Sequence, residues 1–154
     1  MRGVLLGVGL ALTLAPAAAA HVDDPSQLAF LWPAQGTVTS PFGWTEGRWH
    51  PGVDIGILSS LDVRAAAPGR VRLVGNPRGF EGYGNVVVIG VGGPFETIYA
   101  HLAATRVRLG EVIDAGDPIG TAGCTGWCTG THLHFELRER GRAIDPAFLL
   151  PNSA

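Results

Sequence analysis

Four of the five histidines in this chain fall in three short motifs whose residue types suit a divalent metal: His50-Pro51-Gly52-Val53-Asp54, Tyr99-Ala100-His101-Leu102 and Thr131-His132-Leu133-His134-Phe135-Glu136. Imidazole nitrogen and carboxylate oxygen bind zinc at about 2.0–2.2 Å, and a catalytic zinc keeps three protein ligands and one open position for water. Four histidines and one aspartate exceed that need, so two side chains remain for proton transfer or for stabilising a transition state. The chemistry this predicts is zinc-assisted hydrolysis. Each motif alone has a plainer reading: a lone H-x-x-x-D is a common polar turn, and H-x-H also describes the solvated face of an amphipathic strand. Their joint occurrence in a chain with no histidine-rich tract favours the metal.

The elements that must position these residues can be read from periodicity. Successive strand side chains point to opposite faces, so His132, His134, Glu136 and Arg138 share one face while Leu133, Phe135 and Leu137 anchor the other on a core. His50 and Asp54 can reach one ion from an extended segment or a turn around Gly52. Val86–Ile89 and Glu96–His101 read as a hairpin across Gly90-Val91-Gly92-Gly93-Pro94, which delivers His101 to a strand end. An early strand is expected at Gly36–Ser40, an alternating strand pair over Val63–Val74 broken at Pro68-Gly69, a turn at Gly79–Gly84, and a short helical turn from Asp145-Pro146 to Leu150. With 23 glycines and 11 prolines in 154 residues, dense turns between short strands predict a mainly β fold: a compact antiparallel sheet or β-roll with a groove walled by loops. Glu136 is expected beside the ligands or at the surface, without a catalytic part.

The full pattern resembles the M23 family of zinc metallopeptidases, the lysostaphin or LytM type that cuts peptide bonds in bacterial cell walls. The resemblance rests on Ser40-Pro41-Phe42-Gly43, His50-Pro51-Gly52-Val53-Asp54-Ile55, Ala67-Pro68-Gly69-Arg70-Val71, Gly82-Tyr83-Gly84-Asn85, Tyr99-Ala100-His101-Leu102, Ile119-Gly120, Thr125-Gly126, Gly130 through Glu136, and Ile144-Asp145-Pro146, all in the family's order. It implies that His50, Asp54 and His134 are the zinc ligands and that His101 and His132 are catalytic without binding metal. It also implies a peptidoglycan stem or cross-bridge peptide as substrate. Some M23-like domains lack ligands and activate other wall hydrolases; a non-hydrolytic wall-binding or regulatory module that activates another wall hydrolase is therefore the alternative, against which the complete set of five polar positions argues. Carrier domains of the biotinyl or lipoyl type share turns such as Ala65–Val71 and Gly110–Asp117, but they need a lysine and this chain has none.

Composition sets the surroundings. Met1-Arg2-Gly3, an apolar run from Val4 to Leu14 and Ala-Pro-Ala-Ala-Ala-Ala read as a secretory signal over 1–20, too short to span about 30 Å of hydrocarbon. A leader (21–29), one peptidase domain (30–150) and a tail (151–154) follow, and a monomeric periplasmic or extracellular protein without a membrane anchor is expected. Without residues 1–20 the chain carries 10 arginines against 13 acidic residues. That negative balance excludes the basic field of a nucleic-acid binder. In an oxidising compartment Cys124 and Cys128 are expected to form a disulfide that shapes the rim, metal ligation being the alternative. Trp44, Trp49 and Trp127 are candidates for lining a peptide groove, and Trp32 for packing on the core.

Overall fold

The computed structural model describes residues 29–45 and 47–151. The expected export signal, residues 21–28 of the leader and residues 152–154 of the tail lie outside them. The protein is a mainly β, antiparallel structure whose large sheet runs in the order β1 (Thr37–Ser40), β4 (Val53–Gly56), β12 (Leu133–Glu139), β8 (Phe95–Ala100), β7 (Val86–Gly92), β6 (Gly69–Gly75) and β10 (Val112–Ile113). β13 (Arg142–Ile144) pairs with the second half of β12. A second sheet is ordered β5 (Asp62–Arg64), β11 (Pro118–Ala122) and β9 (Leu102–Thr105), and β2 (Gly43–Thr45) and β3 (Arg48–His50) form a separate hairpin. Short 3₁₀ turns occupy Glu81–Tyr83 and Pro146–Phe148. Among the described residues no helix is long and apolar enough to cross a membrane.

The alternation expected of the H-x-H strand is realised in β12. Leu133, Phe135 and Leu137 are buried in a core shared with Val53 and Ile55 of β4, Tyr99 of β8, Val87 and Ile89 of β7, and Val63, Leu102 and Ile119 of the second sheet. The Tyr99 hydroxyl accepts the Ala66 N–H at 2.8 Å, which satisfies the polar end of a buried ring. β7 is apolar on both faces because its other side, Val86 and Val88, packs with Ile98, Leu73, Phe80 and Tyr83; a continuous apolar run is the pattern of a strand covered twice.

Register brings the three motifs together. β12 lies between β4 and β8, with His134 opposite Asp54 on one side and opposite Ala100 on the other. His101 is the next residue after β8. One expectation is corrected here. The strands of Val63–Val74 are not paired with each other: β5 pairs with β11 and β6 with β7, because the fully buried Ala65-Ala66-Ala67 carries the chain from one sheet to the other. The groove has the expected loop walls, from residues such as Gly79, Trp127 and Thr129, and Arg48, Trp49 and His50 of β3 line it as well.

Gly52 permits the β4–β12 contact, since a Cβ there would collide with the Phe135 carbonyl oxygen and lie 2.8 Å from Glu136 Cγ. Gly52→Ala should therefore lower stability by roughly 1–3 kcal/mol through overpacking. Urea unfolding of the metal-free protein checks this, the expected result being a lower midpoint at unchanged slope.

Candidate metal centre and groove

His50 closes β3, a bend at Pro51-Gly52 follows, and Asp54 lies in β4, which sets both side chains beside His134 on β12. Three atoms converge there. His50 Nε2 lies 3.1 Å from Asp54 Oδ1 and 3.1 Å from His134 Nδ1, and His134 Nδ1 lies 2.7 Å from Asp54 Oδ1. Ligands about 2.1 Å from one tetrahedral ion stand roughly 3.4 Å apart, so this triangle need open by less than about 1 Å to hold zinc. His50, Asp54 and His134 also form the group of potential metal ligands found among the described residues.

Outer hydrogen bonds decide which ring nitrogens are free. His50 Nδ1 faces the Pro41 carbonyl at 2.7 Å, and His134 Nε2 faces Glu136 Oε1 at 2.9 Å. A carbonyl or carboxylate oxygen only accepts, so each of these nitrogens carries the proton and the opposite nitrogen is left to the triangle. The same holds for the two remaining histidines. His101 Nδ1 donates to the Thr125 carbonyl at 2.8 Å and His132 Nδ1 donates to the Gly130 carbonyl at 2.7 Å, leaving each Nε2 with its lone pair.

The His101 and His132 rings lie 4.7 Å apart, and the His101 ring lies 5.8 Å from that of His134. Both line the same groove, about 640 Å³ in volume, as the metal triangle. His132 Nε2 is 3.8 Å from Asp54 Oδ1, so it stands beside the triangle and outside it. His101 adopts a left-handed backbone (φ 61°), a conformation uncommon for a side-chain-bearing residue and concentrated at functional sites. Its N–H donates to the Tyr83 carbonyl at 2.8 Å.

Glu136 is fully buried, which corrects the expectation that it could be a surface residue. It accepts from His134 Nε2, from the Tyr83 hydroxyl at 2.6 Å and from Arg138 Nε at 2.6 Å, while Arg138 also donates to the Tyr83 hydroxyl at 2.9 Å. A buried carboxylate is tolerated when every lone pair is occupied and a cation stands beside it. The period-two pattern placed Arg138 on this face, but Tyr83 joins from the Glu81–Tyr83 turn and carried no signal beyond its Gly82-Tyr83-Gly84-Asn85 motif.

Charge follows from these contacts. Burial raises the Asp54 and Glu136 carboxyls, but the hydrogen bonds from His134, with the His50 imidazole beside Asp54 and the Arg138 guanidinium beside Glu136, outweigh it and hold both below the usual carboxylate range. Burial disfavours charge on His134, yet its hydrogen bonds to Asp54 and Glu136 raise it to about 9. Burial lowers His101 and keeps it neutral, while burial and the Glu136 charge raise the Tyr83 phenol. In the metal-free protein His134 is thus protonated at neutral pH, and a metal must displace its Nδ1 proton. Zinc uptake at pH 7 should release about one proton per chain, and apparent affinity should weaken as pH falls below about 9; calorimetry in buffers of different ionisation enthalpy reads both.

Glu136→Gln removes the charge behind His134 while preserving shape. Zinc affinity should fall roughly 10- to 100-fold, the usual effect of losing a residue that orients a ligand, as measured by competition with a fluorescent chelator.

The walls divide as the sequence suggested, with one exception. Trp49 and Trp127 line the groove. Trp44 stands behind Trp49, ring centroids 6.2 Å apart in an edge-on contact, and is not among the lining residues. Trp32 packs against the core and donates Nε1–H to the Pro151 carbonyl at 2.7 Å. Cys124 and Cys128 are joined in a disulfide, 5.3 Å between their Cα atoms.

The antiparallel β fold carries a His-Asp-His triangle suited to a metal ion in a groove lined by Trp49 and Trp127. Residues 48–146 match the family model described as Peptidase family M23, and the chain belongs to that family. Murein hydrolase activator NlpD of Escherichia coli is 38% identical over 120 residues, covering 78% of this chain and 31% of that protein. DD-carboxypeptidase/endopeptidase Mpg of Neisseria meningitidis is 38% identical over 115 residues, covering 71% of this chain and 26% of that protein. A zinc containing peptidase from Vibrio cholerae has the same fold, with a TM-score of 0.68 and 31% identity, over 82% of this chain and 41% of that one. The chain spans between about a fifth and a half of the length of the curated relatives it matches.

Proposed function

We propose that this chain is an exported zinc endopeptidase that hydrolyses peptide bonds in the stem or cross-bridge peptides of peptidoglycan. The observation that carries this reading is the orientation of the four imidazoles: each has one nitrogen tied to a fixed acceptor and turns the other toward a single groove, His50 and His134 into the triangle and His101 and His132 beside it. His50, Asp54 and His134 would hold the ion. Zinc so held would supply Lewis-acid polarisation of a water and of the scissile carbonyl.

The remaining steps belong to His101 and His132. With Nδ1–H fixed, each Nε2 can take a proton from the attacking water or, once protonated, donate a hydrogen bond to the developing oxyanion. The accepted proton passes to the departing amine nitrogen as the C–N bond breaks, leaving a new carboxyl and a new amino group. The sequence did not divide these two tasks between the histidines. Trp49 and Trp127 give the peptide flat apolar walls, exposed at 49% and 85% of their surfaces and so available for contact.

The name of the Escherichia coli relative supports a second reading, a module that activates another wall hydrolase without cutting bonds itself. Against it stands the complete ligand and proton-transfer set, which activation alone does not require. Metal removal tests the enzyme reading. A chelator should abolish peptide release from purified wall, and one equivalent of zinc should restore it; release that persists without metal would rule out the mechanism.

A further inference from the structure

The disulfide is placed where it contributes least to overall stability and most to the site. A bridge between residues four apart closes a very short loop, and entropic stabilisation grows with loop length. Yet the enclosed residue Thr125 supplies the carbonyl that accepts His101 Nδ1–H at 2.8 Å. Two residues beyond Cys128, Gly130 supplies the carbonyl that accepts His132 Nδ1–H at 2.7 Å. Cys128 Sγ itself lies 3.7 Å from His132 Nδ1.

The loop is also bonded to Leu102 and to the Gly82–Asn85 segment. The Thr125 hydroxyl donates to the Leu102 carbonyl at 3.0 Å and accepts the Asn85 N–H at 2.9 Å, and the Trp127 N–H donates to the Gly82 carbonyl at 2.9 Å. Gly84 and Gly126 meet backbone to backbone, with a Cβ at Gly84 lying 2.6 Å from the Gly126 nitrogen. Glycines at 123, 126 and 130 leave this stretch many alternative conformations. Only a restrained loop keeps both carbonyls aimed at the two imidazoles.

We propose that the Cys124–Cys128 loop is the positioning element for both proton-handling histidines, its disulfide holding the Thr125 and Gly130 carbonyls that select the Nδ1–H tautomer of His101 and His132. The tautomer part stands on geometry alone, while its consequence for turnover rests on the hydrolase reading above.

Nitrogen-15 NMR of the zinc-loaded full chain separates this from a merely structural staple. In the native protein the ring nitrogens of His101 and His132 should report one Nδ1–H tautomer each. In the Cys124→Ser, Cys128→Ser double variant both should move toward a tautomer mixture, with zinc still stoichiometric, kcat lowered tenfold or more and KM within about twofold. Unchanged tautomers, or loss of zinc, would overturn the proposal. Thr125→Val keeps the bridge and removes only the hydroxyl bonds, so it covers the case in which the double variant does not fold. It should disturb His101 and spare His132; a variant that leaves His101 unaltered contradicts the proposal as well. A native protein with pure Nδ1–H signatures but no action on wall would sink the hydrolase reading and leave the positioning intact.

Discussion

Replacing His134 by alanine is expected to abolish both zinc retention and hydrolysis in a protein that still folds. His134 Nδ1 is the corner of the triangle closest to Asp54, and its other nitrogen is the link to the buried Glu136. The substitution removes one of three ligands and exposes Glu136 to the loss of one of its three hydrogen-bond partners. A site reduced to His50 and Asp54 offers two protein ligands where a catalytic zinc requires three. Metal analysis after dialysis and a wall-digestion assay on the same sample are the measurements. Stoichiometric zinc in the variant would remove His134 from the ligand set.

His101→Ala and His132→Ala are expected to behave in the opposite way toward metal. Neither ring nitrogen belongs to the triangle, so zinc should remain at about one per chain while turnover falls a hundredfold or more, the scale associated with a general acid–base or oxyanion group. A variant that loses zinc would place its histidine among the ligands, and one with full turnover would take it out of the mechanism. The comparison is sharpened by the protein's own geometry: both rings are anchored through Nδ1–H to a backbone carbonyl of the neighbouring loop and to none of the three ligands.

What could be read from sequence, and what could not, divides along physical lines. The H-x-H strand was legible because period two is a local property: Leu133, Phe135 and Leu137 must share the face opposite His134. The hairpin that delivers His101 was legible because glycines and Pro94 break two apolar runs. Register between distant strands has no such local signature. Nothing within residues 131–136 says that β4 lies on one side and β8 on the other, and the pairing of His134 with Asp54 joins residues 80 apart.

The same limit explains the misread strands of Val63–Val74. Neighbouring strands usually pair, and only the buried alanines between them, invisible as a signal, send β5 and β6 to different sheets. The three-residue strands β2 and β3 are too short to show any period. Glu136 was the informative case at the site: on a polar strand face a solvated carboxylate and a buried one look alike. The difference is made by Tyr83, 53 positions away.

Digesting purified peptidoglycan with the zinc-loaded chain alone, in water enriched in oxygen-18, tests the account most directly. Mass spectrometry should find released stem or cross-bridge peptides whose new carboxyl group carries one heavy oxygen, with none from the chelated protein. Wall that stays intact until a second hydrolase is added, and then yields only that hydrolase's products, would contradict the enzyme reading and favour an activator.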